Sequence, residues 1–278
     1  MVRLRSGGTL DNSFGHQGVA TVALGHGGNE LFTAAVVQAD GKIVVAVSSG
    51  GADDAPVLEL ARFESNGALD TSFGTAGVLL LDRGTQDSNS LAQQPDGKIL
   101  AGAGLLVARV NSDGSLDTTF GTGGFAPVIS PASAIVLQST RRFCCPPAAT
   151  NANGTLDSSF GHQGGVVTNF SSVGPASTPS DVAIESNGDI IVAGQVGRAP
   201  SITNISSPAS FALTRYTPIG ALDSTFGARG KVVTSFGKTA TAGIVAVAID
   251  GEGMLVAVGN VAPTGTTGSI VVAHYLTK

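Results

Sequence analysis

The chain has 278 residues, with Lys+Arg 15 against Asp+Glu 20 and a formal charge of −5, so it carries no basic footprint for nucleic acid or anionic lipid. Charged residues make up 13%, about half the usual share, and the 39 Gly lack the every-third-residue period of collagen. Such a chain is apolar, turn-rich and poor in strong helix formers, which points to an all-β fold.

In chain order, the first repeat opens with an apolar run at Ala34–Gln38, then the Asp40-Gly41 turn, a second run at Ile43–Val47, a third at Val57–Phe63 and a fourth at Val78–Leu81. This is a four-stranded meander. The tight turn recurs at Asp96-Gly97 and Asn187-Gly188, and such pairs between apolar runs predict hairpins in which both turn residues have positive φ. A second string, Leu-Asp-x-[Ser/Thr]-Phe-Gly, begins at Leu10, Leu69, Leu116, Leu156 and Leu222. Its successive starts are 59, 47, 40 and 66 residues apart (69−10, 116−69, 156−116, 222−156), the length of a propeller blade and more than a β-helix rung.

The last hairpin, Ile249–Val258, and the run Ile270–Tyr275 are followed by no further copy of the motif, whereas Val2–Arg5, Leu10–Gly15 and Val19–Leu24 supply a motif and a fourth strand at the other terminus. A ring closed in this way has no bare sheet edge. The expected architecture is therefore all-β: a five-bladed β-propeller closed by the N-terminal strand pairing into the last blade. The blades span about 30–83, 87–130, 133–170, 180–236 and 243–278, the last completed by 2–24, all in a single domain.

The Gln-x-Asp-Gly-Lys-Ile-Val-Val hairpin alternates with a segment such as Ala61 to Gly74, Ala-Arg-Phe-x-x-x-Gly-x-Leu-Asp-x-Ser-Phe-Gly. This alternation resembles the bacterial delta-60 repeat over nearly the whole chain. The resemblance implies a β-propeller and transfers no catalytic residues. The third unit, Ile135 to Gly161, departs from it: Ser139-Thr140-Arg141-Arg142 replaces the turn, and Phe143-Cys144-Cys145-Pro146-Pro147 follows. That blade is expected to be degenerate, with its second and third strands truncated.

Residues present in every repeat are read as builders of the repeat. The motif Leu and Phe are assigned to the gap between neighbouring sheets, and the Gly after each Phe to a positive φ. Each motif Asp is expected to accept N–H groups of the following Ser or Thr turn. An Arg stands eight residues before four of these acids, pairing Arg3 with Asp11, Arg62 with Asp70, Arg109 with Asp117 and Arg215 with Asp223; Ala149 takes that place before Asp157. Arg and Asp are predicted to meet across the strand-to-loop turn.

Asn111-Ser112-Asp113-Gly114-Ser115-Leu116-Asp117 has alternating oxygen ligands, but the full calcium-loop pattern is missing and a plain turn is the preferred reading. His16 and His162 are assigned to the surface, and the adjacent Cys144 and Cys145, too close for an ordinary disulfide, to buried structural positions. No metal and no cofactor is expected.

With inner-to-outer strand order, Ala34–Gln38 and its equivalents line the central channel. Hairpin turns and Leu-Asp motifs gather on one face, and the variable loops on the other. Binding residues concentrate on loops held by a rigid scaffold. The polar candidates there are His26, Asn29, Glu30, Asp53, Asp54, Asp82, Arg83, Asp87, Asp181, Arg198 and Lys238, whose acidic balance favours a cationic or hydroxyl-rich ligand over a phosphate.

No paired-carboxylate spacing, nucleophile elbow, HExxH or phosphate loop is present. The leading expectation is a non-catalytic binding or scaffolding propeller that engages a protein, glycan or small-molecule ligand. The alternatives are a hydrolase or lyase with Asp/Glu acid-base residues at the channel mouth, and a structural module that oligomerises through the degenerate third blade. No nucleic-acid partner and no membrane span is expected. The first residues show no secretory signal, so an extracellular location would require that a leader had been removed.

Overall fold

The computed structural model describes residues 1–24, 30–49, 57–81, 90–128, 134–138, 143–145, 148–170, 174, 176–197, 208–262 and 268–276. Two compact units are present: residues 1–135 with 152–155, and residues 136–151 with 156–278. All regular elements described are β-strands.

In the first unit, β1 (Leu31–Val37), β2 (Ile43–Ser49), β3 (Val57–Phe63) and β4 (Val78–Leu81) form an antiparallel meander in sequence order. A second meander follows in β5 (Leu91–Gln93), β6 (Ile99–Ala103), β7 (Leu106–Val110) and β8 (Phe125–Pro127). Buried Val44, Leu58, Leu60 and Phe73 from the first repeat pack with Ile99, Ala101, Ala108 and Val110 from the second. Each such Val, Ile or Leu contributes about 1.5–3 kcal/mol relative to exposure. On the other face of the first sheet, Phe14, Ala20 and Leu24 cover Val45, Val47, Ala61 and Phe63. The N-terminal residues also pair locally, Val2 with Val19 and Leu4 with Leu10.

In the second unit, the third repeat has strands of only two or three residues, β9 (Val136–Leu137), β10 (Phe143–Cys145) and β11 (Ala148–Thr150), paired in the order β11-β10-β9. Next come β12 (Ala176–Ile184), β13 (Ile190–Gly197), β14 (Ala209–Tyr216) and β15 (Lys231–Thr234), then β16 (Thr241–Ile249), β17 (Leu255–Ala262) and β18 (Ser269–Tyr275). Both sets are antiparallel meanders, and one parallel pair, Ala209 with Thr241, links β14 to β16. Phe211, Leu213 and Phe226 share a core with Ile244, Leu255 and Ala257. The first strand carries a bulge in three repeats, at Phe32/Ala34, Pro179/Asp181 and Ile244/Ala246.

The hairpins form where the Asp-Gly and Asn-Gly signals place them, but by a different turn. Gln38 N–H donates to Lys42 O at 2.8 Å and Gly41 N–H to Gln38 O at 2.9 Å, which closes a three-residue loop. Only the glycine takes positive φ, 84° at Gly41, 87° at Gly97 and 91° at Gly188. The preceding acid or amide instead caps the turn: Asp40 Oδ1 accepts Lys42 N–H at 3.1 Å, and Asn187 Oδ1 accepts Asp189 N–H at 2.9 Å. This is a type I turn closed by a glycine bulge, in place of the two-residue turn expected from the dipeptide.

The motif glycines do adopt positive φ, between 53° and 56° at Gly15, Gly74, Gly121, Gly161 and Gly227, and the five motif Phe are buried. The motif Leu departs from expectation. Leu10, Leu156 and Leu222 are 45, 38 and 39% exposed, because each lies over the glycine of its own loop (Gly18, Gly164, Gly230) at the margin of the sheet gap. His16 and His162 are exposed. The side chains of Cys144 and Cys145 lie outside the described residues.

At Gly67, Gly114, Gly154 and Gly220 a second glycine turn approaches the preceding motif closely. A Cβ on Gly220, whose φ is +83°, would stand 2.7 Å from Gly161 N and 3.1 Å from the Phe160 ring; one on Gly253, at φ +82°, would meet nothing within 4 Å. Gly253→Ala should therefore cost only the left-handed penalty of about 1–2 kcal/mol. Gly220→Ala should cost at least about 1 kcal/mol more through overpacking. Denaturant midpoints at constant slope check this, and equal losses would contradict the close packing.

Candidate functional site

The recurrent polar cluster starts from backbone pairing. Asp11, Asp70, Asp117 and Asp223 each donate N–H to the carbonyl of the Arg eight residues earlier, at 2.8–2.9 Å, so the two side chains leave the turn side by side. The predicted ion pairs all form: Arg3 Nε donates to Asp11 Oδ2 at 2.9 Å, Arg62 to Asp70 at 2.7 Å, Arg109 to Asp117 at 2.8 Å and Arg215 to Asp223 at 2.7 Å. The other carboxylate oxygen accepts the N–H and hydroxyl of the Ser or Thr two residues on, as at Ser72 (3.0 and 2.6 Å) and Thr119 (3.1 and 2.6 Å). Each guanidinium also lies over the motif Phe, 4.6–4.8 Å from the ring centroids of Phe14, Phe73, Phe120 and Phe226.

The same groups bind the next repeat. Arg3 Nη1 donates to Ser65 O at 2.6 Å, Arg62 Nη1 to Ser112 O and Arg109 Nη1 to Ala152 O. The motif glycine N–H donates to the following carbonyl: Gly15 to Asn66, Gly74 to Asp113, Gly121 to Asn153 and Gly161 to Ile219, at 2.7–2.8 Å. In the third motif, where Ala149 replaces Arg, Gln138 Nε2 donates to Pro218 O at 3.3 Å, the carbonyl that an Arg would take. Asp157 keeps the Ser159 bonds.

Two lysines that the sequence reading passed over complete the cluster. Lys42 Nζ donates to Asp70 at 2.7 Å and Glu64 at 2.9 Å; Lys98 Nζ donates to Asp117 at 2.7 Å and Asn111 at 2.8 Å. Their signal was the Lys after Asp-Gly, found only where Arg and Asp both follow; in the fourth repeat Asp189 takes that position and Arg215 turns to Glu185 at 3.4 Å. Hairpin turns and Leu-Asp motifs thus gather at one end of the strands in each of these repeats. Burial alone would raise the pKa of Asp70, but Lys42, the Ser72 hydroxyl and N–H, and Arg62 outweigh it and hold the carboxyl well below the usual range. Burial is likewise overcome at Asp117 by Lys98, Thr119 and Arg109. The oxygens weighed for calcium in this loop all face protein donors: Asn111 faces Lys98, Asp113 faces Ser115, and Asp117 faces Lys98 and Arg109.

Of the variable-loop candidates, Glu30 and Lys238 are described and exposed. Asp181 lies within β12 rather than on a loop, because the strand extends to Ala176 and its bulge turns the carboxylate inward. There Asp181 accepts Val182 N–H and Val247 N–H, both at 2.8 Å, joining β12 to β16; burial raises its pKa despite these bonds. Both of its carboxylate oxygens thus accept backbone N–H groups. His26, Asn29, Asp53, Asp54, Asp82, Arg83, Asp87 and Arg198 lie outside the described residues. Among the described residues, no three of His, Cys, Asp and Glu converge.

A cavity of about 350 Å³ lies in the first unit, lined by Ala23, Leu24, Glu59, Thr75, Val78, Leu79 and Leu80. It runs along β4 from Thr75 to Leu80, beside Glu59 of β3, which pairs with Leu80. Glu59 is 2% exposed. Its sequence signal was a carboxylate in the run Val57-Leu58-Glu59-Leu60, where β7, β14 and β18 have Leu106, Ala212 and Val271 at the same distance before the Arg or His position. Its lining mixes Leu24, Val78, Leu79 and Leu80 with the polar side chains of Glu59 and Thr75.

Asp117→Asn should lower stability near neutral pH by about 2–3 kcal/mol, below the ~3–5 kcal/mol of a fully buried pair because Lys98 reaches water. The folded pKa of Asp117 is depressed, so its contribution is present above the unfolded value of about 3.9 and is lost as pH falls toward the folded value. The gap between wild type and variant should therefore narrow below about pH 4. A gap that stays constant in acid denaturation series would contradict the ion-pair account.

Residues 38–73 and 94–120 match the model of a family described as a β-propeller domain of unknown function (DUF5122). Both segments run from the hairpin Gln to the motif Phe and include the turn Lys, the strand Arg and the motif Asp. No curated protein matches. Among solved structures, a hypothetical protein from Leishmania major is similar at 9% identity over 88% of this chain and 83% of that one, with a TM-score of 0.43. The repeats of this chain are similar to those of a β-propeller repeat family of unknown function.

Proposed function

We propose that the chain is a non-catalytic binding or scaffolding propeller of the delta-60 type, with five blades closed by the N-terminal strand pairing into the last blade. Its ligand is taken at the variable-loop end. The observation that carries this reading is the cavity along β4, lined by Leu24, Glu59, Thr75 and Val78, none of which takes part in the Arg–Asp clusters. Asp70 and Asp117 are held as anions by arginine and lysine, so neither is poised as a general acid. Of the protein, glycan and small-ligand classes, a small cationic or hydroxyl-rich molecule best suits a cavity of about 350 Å³ whose polar side chains are Glu59 and Thr75.

Closure is supported by two complementary features. The outer side of β18 has no fourth strand among the described residues and exposes Ile270 (78%) and Val272 (66%). Residues 20–24 stand in the sequence position of a fourth strand and take part in no sheet. In the fourth repeat β15 occupies the corresponding place, antiparallel to β14.

Calorimetric titration with a panel of alkylamines and small polyols tests the binding reading. A hit should weaken about tenfold or more in Glu59→Gln, as expected when a charge-assisted hydrogen bond is lost. The variant's melting temperature should stay near that of wild type, and the ligand should be recovered unchanged. Turnover of a panel member, abolished by Asp53→Ala, would overturn the non-catalytic assignment. Slow amide exchange along the outer edge of β18 is expected from closure, and fast exchange there would exclude it.

A further inference from the structure

The sequence contains three Asn-Gly pairs, Asn66-Gly67, Asn153-Gly154 and Asn187-Gly188. Asparagine is a thermolabile residue, and a following glycine has no Cβ to shield its nitrogen from the asparagine side chain. All three asparagines are exposed, and the three glycines have φ of 86°, 89° and 91°. Gly67 and Gly188 also share the turn bond, donating to Glu64 O and Glu185 O at 2.8 Å. Exposure and local conformation do not separate the pairs.

The surroundings of the linking peptide do. The Asn66 carbonyl accepts Gly15 N–H at 2.7 Å and the Asn153 carbonyl accepts Gly121 N–H at 2.8 Å. Gly67 and Gly154 are buried against those motifs, where an added Cβ would stand 2.7 Å from Gly15 N and 2.6 Å from Gly121 N. Bringing the glycine nitrogen onto the asparagine Cγ requires rotation about ψ, which pulls that carbonyl from its bond and drives the glycine into the motif. Asn187-Gly188 lies instead in the β12–β13 hairpin. Among the described residues no donor reaches the Asn187 carbonyl, Gly188 is half-buried, and a Cβ there would meet only the Pro218 ring, at 3.1 and 3.8 Å.

We propose that Asn187-Gly188 is a site of spontaneous covalent modification in the folded chain, and that the joints between repeats protect Asn66 and Asn153 from the same reaction. Gly188 N attacks Asn187 Cγ, its proton passes through solvent to Nδ2, and Nδ2 leaves as ammonia, which closes a succinimide. Water adds to one of the two ring carbonyls and breaks its C–N bond, giving an aspartate or an isoaspartate at 187. The product loosens the hairpin. Asn187 Nδ2 donates to Asp189 Oδ2 at 2.8 Å, and a carboxylate in its place sets two like charges together. The first two hairpins carry an acid at this position, Asp40 and Asp96, but have Lys42 and Lys98 where this one has Asp189.

Peptide mapping by mass spectrometry of the whole chain, aged in mildly alkaline buffer, tests the assignment. Conversion at Asn187 should run about tenfold or more faster than at Asn66 and Asn153, because the latter two react only after the joint opens. In denaturant the three rates should converge. Equal rates in the folded chain, slower conversion at Asn187, or a rate difference that persists in denaturant would overturn the proposal. The consequence has its own readout: Asn187→Asp should lower the melting temperature by about 2–4 °C, and adding Asp189→Lys should restore it. A single variant as stable as wild type would refute the loosening of the hairpin.

Discussion

The motif carboxylate is the point on which each repeat depends. One oxygen accepts the Ser or Thr turn and the other accepts arginine, so a single Asp fixes the loop and aims the guanidinium at the next repeat. The arginine cannot be replaced by lysine in this role. It must reach the carboxylate, the following repeat's carbonyl and the face of the motif Phe at once, which requires a planar fork and not a point charge. Lysine is used instead at the hairpin, where a single ammonium bridges Asp70 and Glu64. With donors on every side, the buried carboxylate stays ionised and its desolvation is offset locally.

That division explains why the third repeat survives the loss of its arginine. The glycine-to-carbonyl bond from Gly161 to Ile219 needs no side chain, and Gln138 supplies a neutral donor to Pro218 O. Gln138 thus keeps the contact to the following repeat without the guanidinium that the other motifs use. The short strands β9–β11 belong to the repeat that lacks the regular turn sequence and the arginine together.

Most of this was legible because repetition reports on geometry. The spacing of eight between Arg and Asp encodes a backbone pairing, and the Ser or Thr two residues later encodes a capped turn. The two strings fell on opposite sides of the same cluster, so Lys42 and Asp70, 28 residues apart, could not be joined from spacing alone. Asp-Gly misled on turn type because the same dipeptide serves a two-residue hairpin and a glycine bulge, and only backbone φ separates them. Asp181 looked like a loop acid because strand length is set by pairing with β13, which the local sequence does not display. The Glu59 cavity was hidden for the opposite reason: it rests on one departure from the repeat, and periodic reading favours what recurs.

This contrast bears on where function can lie in a chain built this way. A residue that closes four joints cannot change in one repeat without weakening that joint, so chemistry specific to a ligand has to arise at positions the joints do not use. Glu59 meets that condition, since it stands three residues before Arg62 on the same strand while pointing to the opposite set of neighbours, Leu24 and Val78. Leu106, Ala212 and Val271 in the other repeats show the apolar choice that packing alone prefers. A change confined to one repeat leaves the recurring Arg–Asp joints untouched, so this position can differ in the first sheet without loss of the contacts that join the repeats.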